Sequence, residues 1–302
     1  MVIGDKLPWG FIFKLHAPWM GATTAVALAA WALTRLIELK LPFTPVPFQI
    51  AGVALAIFLG FRNNSAYDRW WEGRKLWGGI VNASRTFTRQ VTTLIHAPEK
   101  EQGEFHKRIV YRHLAWLQAL KQALRSEAVG DLSKLLEKDE LEQVAREKNV
   151  AAFLLQRAGK DLAEAQRRGW LTEKGLEMLD RTLTELTSLQ GGCERIKSTP
   201  IPTAYRVFTH RFTRFYITAL PLGLVEHIEL ATIPVLIALS LAFLVLETLG
   251  RLLEDPFTLT PNGLALNAIT RTIEVNVRQQ LGEVDIPPFL TPELRGNFQV
   301  LL

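Results

Sequence analysis

The side chains best able to hold a metal or attack a substrate are six histidines and one cysteine, and their spacing supports neither chemistry. His16, His96, His106, His113, His210 and His227 are scattered along the chain. His106 and His113, seven residues apart, could share a helix face, but no HExxH pattern and no carboxylate at ligand spacing accompanies them. Cys193 lies in Gly191-Gly192-Cys193-Glu194-Arg195 without a partner motif. It reads as a small buried residue at a tight backbone approach, set against the alternative of a reactive thiol. No Walker A loop or GxGxxG is present. The sequence therefore names no catalytic residue, no metal site and no cofactor, and it starts the enzyme class at a disadvantage.

A different pattern carries physical rather than covalent chemistry. Within Phe48 to Glu72, Val53, Ile57 and Phe61 recur at i, i+4 and i+8, one apolar stripe on a helix of about 3.6 residues per turn. Continued past Phe61, the stripe meets Asn64 and then Asp68, so one face passes from dry to wet. One reading is a lipid-facing or packing stripe that surfaces at a membrane boundary, with Trp70-Trp71 as an aromatic belt. The other is a pore face: several copies pointing this stripe at a common axis would make a narrow apolar neck that gates by dewetting and opens into a polar vestibule. Gly52, Ala54, Ala56 and Gly60 beside the stripe would let such helices pack closely.

The elements that would position this stripe follow from composition. The chain has 302 residues, 48% hydrophobic and 22% charged, with 35 Lys+Arg against 30 Asp+Glu. Mean hydropathy of +0.10 beside that much charge predicts a few membrane-buried segments joined to a large, wet, charged part. The net charge of +5 and pI near 9.4 fit loops near anionic lipid and do not imply nucleic acid. A single cysteine excludes an intramolecular disulfide framework or a cysteine zinc cluster.

A bilayer core needs about 20 apolar residues in a helix. Ala17 to Leu39 and Ala231 to Leu246 are read as strong spans, and Pro47 to Phe61 and Phe215 to Val225 as shorter ones shielded by protein, each joined to a strong span by a short loop. Asp5, Pro8, Trp9 and Lys14 argue against a signal peptide over Met1 to His16. The short loops carry Lys40 alone as a base, whereas Arg62, Arg69, Arg74, Lys75, Arg206, Arg211, Arg214 and Arg251 crowd beyond the other span ends. The positive-inside rule then places both termini, residues 62–210 and residues 251–302 in the cytoplasm.

Residues 62–210 read as helical: Leu132, Leu135, Leu136, Val144, Phe153 and Leu154, and then Leu176, Leu179, Leu183, Leu186 and Leu189, recur at helical steps. Pro98, Gly130-Asp131, Gly169 and Pro200-Ile201-Pro202 punctuate about four cytoplasmic helices. Glu254-Asp255-Pro256-Phe257 ends the last span, and Ile269, Ile273 and Val277 predict one more helix with Asn262 as its cap. The fold class is an all-α membrane protein with four transmembrane helices per subunit and a large cytoplasmic helical region, 1–302 forming a single channel-like domain.

The chain resembles the bestrophin family, specifically its bacterial branch. The resemblance rests on Ala56 to Gly78 (AIFLGFRNNSAYDRWWEGRKLWG), Gly191 to Arg211 (GGCERIKSTPIPTAYRVFTHR) and Leu253 to Phe257 (LEDPF), in order around the four-span layout. It implies a homopentameric ion channel in a cell membrane, with one central pore, a cytoplasmic vestibule and a neck that falls on Val53, Ile57 and Phe61. It also implies a second constriction about four turns before the Gly191-Gly192-Cys193 motif, which lands near Leu176, Glu177 and Met178; a solvated Glu177 with no pore role is the competing reading. Glu254, Asp255, Pro256 and Phe257, with Gly191 to Arg195, are the family-motif structural residues. Animal members follow the EDPF-like segment with acidic residues that help clasp calcium. Here Thr258-Leu259-Thr260-Pro261-Asn262 follows, so calcium-independent conduction is expected.

Three function classes follow. The first is a pentameric channel whose partners are its own copies, the lipid bilayer and small monovalent ions. The second is a membrane-anchored helical scaffold that docks a partner and passes no ions. The third is a membrane enzyme acting on lipid or quinone, with His106 or His113 essential. Animal bestrophins pass chloride and bacterial relatives include cation channels. Asp68 and Glu177 lean towards cations and Arg62 and Arg69 towards anions, which leaves the ion sign open.

Overall fold

The computed structural model describes residues 2–3, 9–38, 43–260, 262–295 and 298–301. Among them the chain forms nine α-helices: α1 Trp9–Leu36, α2 Pro45–Leu94, α3 Glu99–Arg125, α4 Lys138–Val144, α5 Val150–Arg167, α6 Glu173–Ser198, α7 Thr203–Ile228, α8 Thr232–Leu253 and α9 Leu266–Gln280. A 3-10 turn, Glu229–Ala231, joins α7 to α8. Leu39, the last residue of the first expected span, and residues 40–42 of the loop after it lie outside the described residues, as does Pro261.

The chain divides into two units. The first comprises Asp5–Trp70 and Pro200–Asp255. Its four helical segments share one apolar core, in which Ala27 of α1, Leu55 and Leu59 of α2, Tyr216, Ile217 and Leu220 of α7, and Leu236 and Leu244 of α8 meet. Each helix gives that core one narrow stripe; on α8 it is Thr232, Leu236, Ser240 and Leu244, at four-residue steps. Most of the remaining surface of these helices is exposed and apolar, as in a helix bundle built for a lipid surround. By length and composition, two helical stretches among the described residues are apolar enough to cross a membrane, Pro45–Leu94 and Thr203–Leu253. The first expected span, α1, falls outside that set, because Pro18, Trp19, Thr23, Thr24 and Trp31 dilute its apolar run.

The second unit comprises Met1–Gly4, Trp71–Thr199 and Pro256–Leu302. Helices break at Pro98, at Gly130-Asp131 and at Gly169, which takes a left-handed φ of 74° so that the Trp170 amide can bond back to Ala165. Leu132 to Leu136, expected within a helix, forms a turn whose Leu132 and Leu136 are buried. The later part of α2 packs on α6 by reciprocal notches. A Cβ on Gly79 would come within 2.8 Å of Leu189 Cδ2, and a Cβ on Gly192 within 2.8 Å of Leu76 Cδ2. Helix α9 begins at Leu266 behind Ala265, so Asn262 is not its cap. The cause is a closed turn, in which the Leu264 amide donates to the Pro256 carbonyl at 2.7 Å and holds the intervening chain out of helix. Three strands of two or three residues, Val2–Ile3 (β1), Glu293–Arg295 (β2) and Phe298–Val300 (β3), pair antiparallel in the order β1-β3-β2, an addition to the all-α expectation too short for any alternation to register.

Candidate functional site

Within the first unit, α2 has two opposed faces. Gly52, Leu55, Leu59, Arg62 and Ala66, spaced by three and four, are buried. Gly52 is needed there: a Cβ would collide with the Tyr216 hydroxyl, so this glycine serves packing inside the subunit and not between subunits. On the other side Val53, Ile57 and Phe61 are 62%, 56% and 66% exposed, and Asn64 and Asp68 are exposed beyond them. Ala54, Ala56 and Gly60 flank the stripe and are exposed too, with open space where a Cβ on Gly60 would sit. Phe58, between the faces, is held by Tyr205 and Phe208 of α7 at ring-centroid distances of 4.5 and 5.5 Å. The stripe is thus a continuous exposed apolar strip among the described residues, on a helix whose back is packed into a core.

Arg62 departs from its expected place at the water boundary. Its side chain is fully buried on the core face, with Nη1 3.7 Å from Glu247 of α8 and Nη2 3.6 Å from Glu254, the residue that caps α8. His210 Nδ1 of α7 lies 3.2 Å from the same Glu247 carboxylate. Arg69 donates from Nε to the Glu254 carbonyl at 3.2 Å, and Asn63 donates to the Leu246 carbonyl at 3.0 Å. The two arginines expected to add positive charge beside the stripe are therefore engaged with α8. Sequence reading missed this cluster; its signal was a pair of glutamates seven apart at the end of an otherwise apolar helix, since an ionisable residue there needs a partner.

In the second unit, the GGCER residues act as a bracket. Gly192 and Cys193 are buried and Gly191 is exposed. Burial pushes the Cys193 thiol up to about 12, with Glu194 and Glu72 adding to the effect, so it is not a reactive thiolate. Glu194 Oε1 accepts from Gln190 at 2.8 Å and from Asn149, the α5 cap, at 3.2 Å. Gln190 in turn accepts from the Trp116 indole at 2.8 Å, and Arg195 pairs with Glu72 of α2. Phe257 is fully buried, and Pro256 and Phe257 lie against Gly73, where a Cβ would come within 3.1 and 3.3 Å of them.

Leu176, Glu177 and Met178 follow the α6 cap Thr172, whose hydroxyl accepts from the Gly175 amide. Glu177 and Met178 are exposed and Leu176 half-buried. Glu177 is clasped by Lys174 at 2.9 Å and by Arg181, and these two cations hold its carboxyl below the usual carboxylate range. His106 is bonded to the Ile95 carbonyl at 3.0 Å. His113 is buried between the rings of Phe87 and Trp116, with no hydrogen-bond partner on either nitrogen. No group of three or more metal-ligating side chains occurs among the described residues.

Known proteins resemble this chain over most of its length. The family described as "Bacterial/Fungal Bestrophin protein" matches residues 11–279. A voltage-dependent anion channel-forming protein of Ralstonia nicotianae is 36% identical over 297 residues, covering 94% of this chain and 95% of that protein. One of the same name from Escherichia coli is 36% identical over 292 residues, covering 96% and 90%. The crystal structure of a bacterial bestrophin homologue from Klebsiella pneumoniae superposes with a TM-score of 0.82 at 32% identity, covering 88% of this chain and 98% of that one.

Proposed function

The chain belongs to the bacterial and fungal bestrophin family, and from that premise we propose that it is a pentameric ion channel whose neck is lined by Val53, Ile57 and Phe61. The observation that carries the proposal is the exposed stripe. Three bulky apolar residues stand exposed at four-residue steps and run directly into Asn64 and Asp68, while the back of the same helix is buried. Five copies around an axis would stack three apolar rings, a constriction that empties of water when narrow and conducts when wetted. The subunit would cross the cell membrane four times, through α1, the early part of α2, α7 and α8, with both termini and residues 62–210 and 251–302 in the cytoplasm.

The charges bear on which ion passes. Arg62 is buried between glutamates, Arg69 is turned to the Glu254 carbonyl, and Asp68 is exposed at the wet end of the stripe, where its carboxylate favours cations. If Glu177 stands at a second constriction, Lys174 and Arg181 more than offset its charge, so that ring gives cations no advantage. The relatives are named for anions. Conduction is independent of calcium, because Thr258, Leu259, Thr260 and Asn262 lack the anionic oxygens a hard cation needs.

The test is the reversal potential of the purified oligomer in a planar bilayer under a steep potassium chloride gradient, with Ile57→Ala alongside. A value near the potassium limit marks a cation channel governed by Asp68, and one near the chloride limit an anion channel. Absence of current from both intact oligomers would sink the channel reading and leave the scaffold.

A further inference from the structure

A helix that must show one narrow face to a pore needs its rotation fixed. Burial of Leu55 and Leu59, with Gly52 seated under Tyr216, sets which face of α2 is buried, through contacts that carry no charge or hydrogen-bond direction. Arg62 is different. It is fully buried, and its two Nη atoms face two carboxylates seven residues apart, Glu247 of α8 and Glu254 at its C-cap. Gly250, midway between them, opens the seat: a Cβ there would lie 3.9 Å from Arg62 Cζ and collide with the Asn63 carboxamide oxygen. Both carboxylates are themselves buried, so turning α2 by one residue, about 100°, would take the guanidinium from the buried Glu254 carboxylate and leave Glu247 with His210.

The geometry points to Arg62 as the positioning residue of the neck: its guanidinium, held between Glu247 and Glu254, locks the rotation of α2 that presents Val53, Ile57 and Phe61 to the pore. The inference rests on the pore reading of that stripe. None of the nitrogens Nε, Nη1 and Nη2 has a hydrogen-bond partner, and the separations of 3.6 and 3.7 Å are longer than hydrogen bonds. The attraction is therefore one of charge shared over both carboxylates, which tolerates small sliding along α8 and opposes turning. Asn63 and Arg69 add hydrogen bonds to the Leu246 and Glu254 carbonyls.

Thiol labelling of the full-length oligomer, read by mass with a water-soluble reagent, tests this without depending on current. The buried Cys193 is a silent background. In the otherwise native chain Ile57→Cys should label fast and Phe58→Cys, held against Tyr205 and Phe208, slowly. Adding Arg62→Met should lower the first rate and raise the second by about tenfold each, and Arg62→Lys should restore the native pattern. Unchanged rates in assembled Arg62→Met overturn the inference. Should that variant not assemble, Glu254→Gln, which keeps Glu247 in place, carries the same comparison with the same two outcomes. Current recorded in parallel separates the failures: rapid labelling of Ile57→Cys without any block of current sinks the pore reading alone.

Discussion

Phe61 and Arg62 are consecutive on α2 and stand in inverted environments, the aromatic ring 66% exposed and the guanidinium fully buried. A solitary soluble helix would place them the other way round. The inversion is consistent with a helix whose core face is finished by an ion cluster and whose outer apolar face awaits copies of itself around a pore.

The two faces should separate in mutagenesis. Ile57→Ala and Phe61→Ala are expected to leave thermal stability of the purified oligomer nearly unchanged and to raise current several-fold by widening the neck. Leu59→Ala, on the buried face, should instead lower stability by about 3 kcal/mol with an early melting transition. Equal melting losses from both faces, with unchanged current, would place the stripe in ordinary packing.

The notches between α2 and α6 predict a graded series. Gly192→Ala and Gly79→Ala push a methyl group against the tips of Leu76 and Leu189 and should each cost about 1 kcal/mol, at the low end for overpacking because leucine tips can yield. Gly191→Ala meets nothing within 4 Å and should not lower the melting temperature. A ranking with Gly191→Ala as the most damaging would contradict the packing described.

How far the sequence spoke depended on whether a feature is periodic. The Val53, Ile57, Phe61, Asn64, Asp68 stripe was legible because a helix repeats every 3.6 residues, and the chain breaks were legible because proline and glycine limit backbone angles locally. Arg62 was not, since its partners are more than 180 residues away and no period links Arg62 to Glu247 and Glu254. The same holds for Gly192 under Leu76. The Asn262 cap failed for a related reason: a turn closed between Pro256 and Leu264 overrode a local capping preference. Lys174 and Arg181 were in plain view three and four residues from Glu177, at the spacing where helical ion pairs form, and their neutralising effect could have been read in advance.

Charge at the proposed second constriction can be tuned in both directions. Removing the clasp with Lys174→Ala and Arg181→Ala frees the Glu177 carboxylate and should move the reversal potential towards the potassium limit. Glu177→Ala leaves both cations and should move it towards the chloride limit. Potentials that stay fixed in all three variants would remove residues 176–178 from the ion path.

Acid should weaken the helical unit that contains His113. Burial pushes this imidazole down from its ordinary 6.5 to about 3, and neither ring nitrogen has a hydrogen-bond partner that would accommodate a proton. Above pH 6.5 the ring is neutral both folded and unfolded, and its contribution is fully present. As pH falls below 6.5 the unfolded chain takes up a proton that the folded chain refuses, so stability is lost progressively down to about pH 3; at pH 5 the loss is about 2 kcal/mol. Denaturant melts at pH 7.5 and 5 measure it. His113→Phe, which keeps a ring between Phe87 and Trp116, should remove most of that pH difference. If the variant keeps the native pH dependence, the acid sensitivity belongs to other groups and His113 is not its source.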